Sequence, residues 1–125
     1  MHRSDRWYES VVLSGDRIGR TLGFPTANLD AGVLKDIKKE GVYAAEVHLG
    51  SQIYRGALYL GPRIVLGETT RVLEIHLLGF NREIYGETLR FRLGKFIRPP
   101  MDFPSREALI KQLQADVAAA QSYIA

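Results

Sequence analysis

The chain has 125 residues, of which 46% are hydrophobic and 25% charged, with a formal net charge of +3, the profile of one ordinary globular domain able to bury a real core. It has no cysteine, which excludes disulfides and thiolate metal sites and suits a cytoplasmic location. No apolar run is long enough for a membrane span, no signal-peptide core follows Arg3, Asp5, Arg6 and Trp7, and the mild positive charge without a dense basic run suits a phosphorylated small ligand better than nucleic acid.

In chain order, Trp7 to Leu13 reads as a first strand. The run Gly19-Arg20-Thr21-Leu22-Gly23-Phe24-Pro25-Thr26-Ala27-Asn28-Leu29 follows. Its mixture of glycine, proline and short oxygen-bearing side chains suits neither helix nor strand, so a loop is expected. Val42 to Leu49 and Gln52 to Leu60 are strands, joined by a Gly50-Ser51 turn into a hairpin. Tyr43, Ala45, Val47 and Leu49 share one face of the first. Arg71 to Leu78 places Leu73, Ile75 and Leu77 on one face, with Glu74 and His76 on the other. Glu83 to Tyr85 is expected as a short strand. Thr88 to Phe96 opposes Leu89, Phe91 and Leu93 to Arg90, Arg92 and Gly94. Ser105 is a good helix N-cap, and Glu107 favours the first turn. Leu109, Ile110, Leu113, Val117, Ala120 and Ile124 then recur at helical spacing, which predicts one amphipathic helix over Arg106 to Tyr123. Several antiparallel strands and one terminal helix point to a small closed barrel, plugged or flanked by that helix.

Three places offer chemistry. The Gly19 to Leu29 run is either a structural turn or a loop that turns backbone N–H groups to phosphate and the oxygens of Thr26 and Asn28 to a hard cation. It is neither a Walker loop nor a dinucleotide fingerprint. Glu74, mid-strand between Leu73 and Ile75, is either a solvated carboxylate or an acid/base group. His76 points the same way, and a surface pair with Glu74 is the commoner outcome. Arg98-Pro99-Pro100-Met101-Asp102-Phe103-Pro104 is a stiff connection. Arg98 there suits a ligand anion, and Phe103 suits a planar ring. No zinc spacing and no hydrolase elbow is present. Tyr8, Tyr43, Tyr54 and Tyr59 read as core or barrel-surface aromatics.

Four segments in order resemble the riboflavin kinase (flavokinase) family. They are Gly19-Arg20 through Pro25-Thr26-Ala27-Asn28; Gly41-Val42-Tyr43-Ala44; Leu73-Glu74-Ile75-His76-Leu77-Leu78 with Ile84-Tyr85-Gly86; and Phe96-Ile97-Arg98-Pro99, Phe103 and the helix with Leu109, Gln112 and Asp116. The resemblance runs from Val11 to Ala119. It implies a six-stranded antiparallel Greek-key barrel with a C-terminal α-helix, one kinase-like domain over residues 1–125. The implied activity is transfer of the ATP γ-phosphoryl to the ribityl 5′-hydroxyl of riboflavin, giving FMN and ADP. Glu74 is then the catalytic base, and Thr26 and Asn28 ligate Mg²⁺. Gly19, Arg20, Gly23, Phe24, Pro25 and Thr26 meet phosphates and nucleotide, while Arg98, Met101 and Phe103 meet flavin.

The chain departs from the family pattern at Pro62-Arg63-Ile64-Val65, at Gly79, at Pro100 and over Ala31 to Glu40. The bacterial members' adenylyltransferase domain has no room here, so a stand-alone kinase or an excised C-terminal domain is expected, with FAD synthesis elsewhere. Two rivals stand beside the kinase: a flavin- or nucleotide-binding barrel without turnover, and a barrel for single-stranded nucleic acid.

Overall fold

A period-two alternation of apolar and polar residues makes strands that bury one face, and such strands must curl or pair to hide it. A computed structural model shows how this chain does so; it describes residues 6–15, 26–63, 67, 70–80 and 83–123. The strands are β1 (Tyr8–Val11), β2 (Ser14–Gly15), β3 (Ala27–Leu29), β4 (Gly41–Leu49), β5 (Gln52–Pro62), β6 (Arg71–Leu77) and β7 (Thr88–Arg98). A 3₁₀ turn covers Ala31–Leu34, and one helix, α1, covers Arg106–Gln121.

All pairings are antiparallel, in the order β1-β7-β4-β5-β6-β3-β2. Strands β4, β5 and β6 pair in succession, and β7 returns to lie beside β4, which is the Greek-key arrangement. The two outer segments of that order, β1 and β2, are halves of one stretch of chain. Between them the Val12 amide donates to the Glu87 carbonyl and the Leu13 amide to the Asn28 carbonyl, each at 2.8 Å. One edge of this stretch therefore binds β7 and the other binds β3, nearly closing the barrel. Counting the stretch once leaves the six strands that the resemblance implies.

The barrel interior is filled by Leu58, Leu60, Leu73, Ile75, Leu89, Phe91 and their neighbours, all fully buried. Leu73, Ile75, Leu89 and Phe91 are among the alternate residues named from the sequence. Helix α1 flanks the barrel rather than plugging it, lying across the outer face of β4 and β5. Val42 and Ala44 on that face are buried although they point out of the barrel core. Ser105 caps the helix by accepting from the Ala108 amide at 3.1 Å. At the other end Arg55 Nε donates to the Tyr123 carbonyl at 2.6 Å. The Tyr123 ring lies against Gly94, where a Cβ would stand 2.1 Å from a ring carbon. Only glycine leaves room there.

Three expectations change. Ala27–Leu29, expected within a loop, is a strand, because β6 offers it a free edge to pair with. Glu83 to Tyr85 is a turn, not a strand. The Glu83 carboxylate accepts from the amides of Ile84 and Tyr85, each at 3.1 Å, and Glu87 N donates to Ile84 O at 3.0 Å. These local bonds take the donors that a ladder would need. The helix, expected to reach Tyr123, ends at Gln121 with Ser122 as its cap.

Strand β5 ends in an anchored corner. The Tyr59 hydroxyl donates to the Pro62 carbonyl. Its ring lies over Gly61, where a Cβ would come within 3.0 Å of the phenol oxygen. Burial first, then the negative charges of Glu40 and Glu74, push the Tyr59 phenol up from 10.0 to about 12.

Two measurements check these contacts. Gly94→Ala forces the Tyr123 ring off the barrel and should cost about 1–3 kcal/mol in urea unfolding, as overpacking does; an unchanged midpoint would show that the ring is not seated there. Tyr59 binds its proton more tightly in the native state than in the unfolded chain. Its contribution is therefore complete below pH 10 and is lost as pH rises through about 12. In Tyr59→Phe the melting temperature should fall less steeply over that window than in the wild type. Parallel curves would remove Tyr59 from the alkaline limb.

Candidate active site

In an antiparallel sheet, residues directly opposite one another lie on the same face. One such row crosses most of this barrel. Asn28 on β3 pairs with Glu74 on β6, Glu74 with Tyr59 on β5, Tyr59 with Val42 on β4, and Val42 with Arg98 on β7. Since Leu73 and Ile75 point into the core, the whole row faces outward. Residues 70 positions apart in the chain are thus set on one outer surface.

The catalytic candidate and one metal candidate are neighbours in this row. Arg63 joins them. Its Nε and Nη2 donate to Glu74 Oε2 at 3.1 and 2.9 Å, and Nη2 also donates to Asn28 Oδ1 at 3.1 Å. The Glu74 side chain is 12% exposed and that of Arg63 31%. Two residues before Asn28, Thr26 Oγ1 is buried and has no hydrogen-bond partner among the described residues. A buried hydroxyl oxygen in that state carries an unrelieved desolvation cost, so it is a place for a ligand to bind. Thr26 and Asn28 together offer two hard oxygens close to a carboxylate. That donor set fits Mg²⁺, which takes one or two protein oxygens and fills the rest of its shell with phosphate and water.

Glu46 shows how a purely architectural carboxylate looks on this barrel. It accepts from His48 Nε2 at 2.6 Å and from Arg92 Nη2 at 2.9 Å. The Trp7 ring packs against His48 and under Arg90 and Arg92. Burial raises the Glu46 carboxyl, but the hydrogen bonds from His48 and Arg92 outweigh it and hold the group below its usual value. Glu74 shares the ion pair but not the setting. It lies opposite Asn28, two residues from the orphaned Thr26 hydroxyl, and both side chains offer hard oxygens.

Arg98, expected to meet a ligand anion, is engaged with the fold. Its Nε and Nη2 grip the Asp116 carboxylate at 2.9 and 2.8 Å, and Nη1 donates to the Pro99 carbonyl at 3.2 Å. Gln112 Nε2 adds a bond to Asp116 Oδ1 at 3.1 Å. Asp116 is 3% exposed, a buried charge on the helix. The same guanidinium lies 5.7 Å from the centre of the Phe103 ring. Arg98 therefore braces the Pro-rich connection that carries Phe103 and the exposed Met101. Gly19, Arg20, Gly23, Phe24 and Pro25 lie outside the described residues.

The sequence reading does not single out Arg63 as a site residue. The only sequence signal was its place in an irregular run directly after Gly61-Pro62. Its role comes from position: Tyr59 is opposite Glu74, and the side chain of Arg63, four residues later, reaches the same carboxylate.

Comparisons with known proteins place the chain in a family. A family model described as "Flavokinase: Riboflavin kinase" matches residues 5–124. A bifunctional riboflavin kinase/FMN adenylyltransferase of Listeria monocytogenes is 35% identical over 118 residues, covering 94% of this chain and 38% of the relative. The chain thus spans about two fifths of that protein's length. Among solved structures, a Streptococcus pneumoniae chain described as a macrolide-efflux protein superposes with a TM-score of 0.80 at 31% identity, covering 94% of this chain and 39% of that one. The riboflavin kinase of Trypanosoma brucei shares the fold with a TM-score of 0.65 at 23% identity, covering 92% of this chain and 76% of that one. By the family match over nearly its whole length, carried on a Greek-key barrel with the Ala-Asn-Leu strand beside Glu74, the chain belongs to the riboflavin kinase family.

Proposed function

We propose that this chain transfers the γ-phosphoryl group of ATP to the 5′-hydroxyl of riboflavin, forming FMN and ADP. The carrying observation is the pairing of β3 with β6, which sets Asn28 directly beside Glu74 with the orphaned Thr26 oxygen two residues away. Phosphoryl transfer asks little covalent work of a protein; it asks for positioning and charge neutralisation. Glu74 lies mid-strand in a paired ladder, so its carboxylate is held on a rigid element. It would accept the proton of the ribityl hydroxyl as that oxygen attacks phosphorus. Thr26 Oγ1 and Asn28 Oδ1 would hold Mg²⁺, which when bound neutralises charge on the phosphates. The residues 19–25 would meet phosphate and nucleotide through Gly19, Arg20, Gly23, Phe24 and Pro25.

On the flavin side, the Arg98–Asp116 pair holds the connection in place and Phe103 offers a ring face for the isoalloxazine, with Met101 beside it. Among the described residues no helix is long and apolar enough to cross a membrane; we read the enzyme as cytoplasmic. The Listeria relative's bifunctional description supports an FMN-adenylylating domain or protein as the next user of the product.

Purified protein incubated with riboflavin, ATP and Mg²⁺ should form FMN, read by chromatography with fluorescence detection. No FMN with any nucleotide or divalent metal would overturn the kinase, and flavin binding without turnover would favour a non-catalytic flavin module. Glu74→Gln should lower kcat by about 10²–10⁴-fold, the usual worth of a general base. Riboflavin affinity, followed by fluorescence quenching, should stay close to that of the wild type. Unchanged turnover would remove Glu74 from the proton transfer.

A further inference from the structure

We infer that Arg63 is a positioning residue of the site that holds the place of the divalent cation and is exchanged for it on loading. This inference rests on the kinase reading for the identity of the cation, but not for the exchange itself. One guanidinium contacts both Asn28 Oδ1 and Glu74 Oε2, at 3.1 and 2.9 Å. Asn28 Oδ1 is also the oxygen proposed to face the metal. A hard cation bound there would bring a second positive charge beside the guanidinium that already bonds Asn28 Oδ1 and pairs with Glu74. Like charges at that separation repel strongly in a partly buried setting. Cation binding therefore requires the guanidinium to withdraw.

The way Arg63 is mounted permits this. Its root is fixed, because the Tyr59 hydroxyl holds the Pro62 carbonyl immediately before it. The side chain itself springs from the connection after β5 rather than from the ladder, and at 31% exposed it has solvent to move into. Arg92 is the contrast. It stands mid-strand on β7 opposite Glu46, and its guanidinium is stacked on Trp7 at 4.9 Å. Among the described residues no orphaned oxygen stands by Glu46 to seat a replacement cation, whereas the Asn28 amide oxygen and the orphaned Thr26 oxygen are offered on the side of Glu74. While the cation is away, Arg63 supplies a charge-assisted bond to a largely buried carboxylate and to the neighbouring amide oxygen.

The test is cation binding rather than turnover. Mn²⁺, with and without ADP, is titrated into the full chain and followed by electron paramagnetic resonance. Arg63→Gln removes the competing charge and should bind Mn²⁺ roughly 2–10-fold more tightly than the wild type, the range of a partly exposed charge-assisted pair. Arg63→Lys keeps the charge but loses the fork that spans two oxygens, so it should fall between the two. It carries the test if Arg63→Gln fails to fold. Adding Asn28→Ala to either variant should abolish the gain. Equal or weaker Mn²⁺ binding in the Arg63 variants, or a gain that survives Asn28→Ala, would overturn the proposal. A wild type that forms FMN with Arg63 variants of unchanged Mn²⁺ affinity would sink the exchange and spare the kinase. A wild type that makes no FMN while Arg63→Gln binds Mn²⁺ more tightly would do the reverse.

Discussion

The pairing of β3 with β6 is the contact on which the site depends. It covers only Ala27, Asn28 and Leu29, opposite Ile75, Glu74 and Leu73. In a sheet a slip of one residue turns every side chain to the other face. Here a slip would drive Asn28 toward the barrel core and expose Ala27 and Leu29, which are 6% and 5% exposed as paired. Burial of these two apolar side chains therefore fixes the register of a strand too short to specify itself. The same register delivers an amide oxygen beside the Glu74 carboxylate. Packing energy on the inner face thus sets geometry on the outer one.

Barrel closure makes that short strand durable. A three-residue strand at an open edge would fray, since its unpaired amides lose little by turning to water. The stretch from Tyr8 to Gly15 prevents this by pairing with β7 through one half and with β3 through the other. The far end of the row is secured differently. Two irregularities in the β4–β7 register, between Val42 and Ala45, let Phe96 pack against the core while Arg98 still lies opposite Val42. Bulges re-aim side chains in this way. Arg98 then meets Asp116 from α1, a pair 12% and 4% exposed. Removing one partner of such a pair leaves a buried charge uncompensated, at about 3–5 kcal/mol. The helix, the last strand and the Phe103 connection are joined at that point.

The inner face was legible in the chain itself. Alternating apolar residues on β4, β6 and β7 named the core correctly, because side-chain direction on a strand is local and periodic. The helix was legible for the same reason, together with its Ser105 cap. Glu74 stood out as a carboxylate interrupting an apolar run, and Thr26 and Asn28 as paired oxygens after a proline. Glu83 to Tyr85 misled because its strand pattern competes with side-chain bonds to its own backbone, which only coordinates reveal.

By itself the amino-acid sequence determined which residues face inward, where the helix begins and which residue types are present to do chemistry. Those properties follow from neighbours one to four positions away. Only the tertiary structure decided that Asn28, Glu74 and Arg63 meet, and that Arg98 is spent on Asp116 rather than left facing solvent. These contacts join residues 11 to 46 positions apart. Their partners are chosen by strand register and barrel closure, and both are set by the burial of the whole core rather than by any local run of residues.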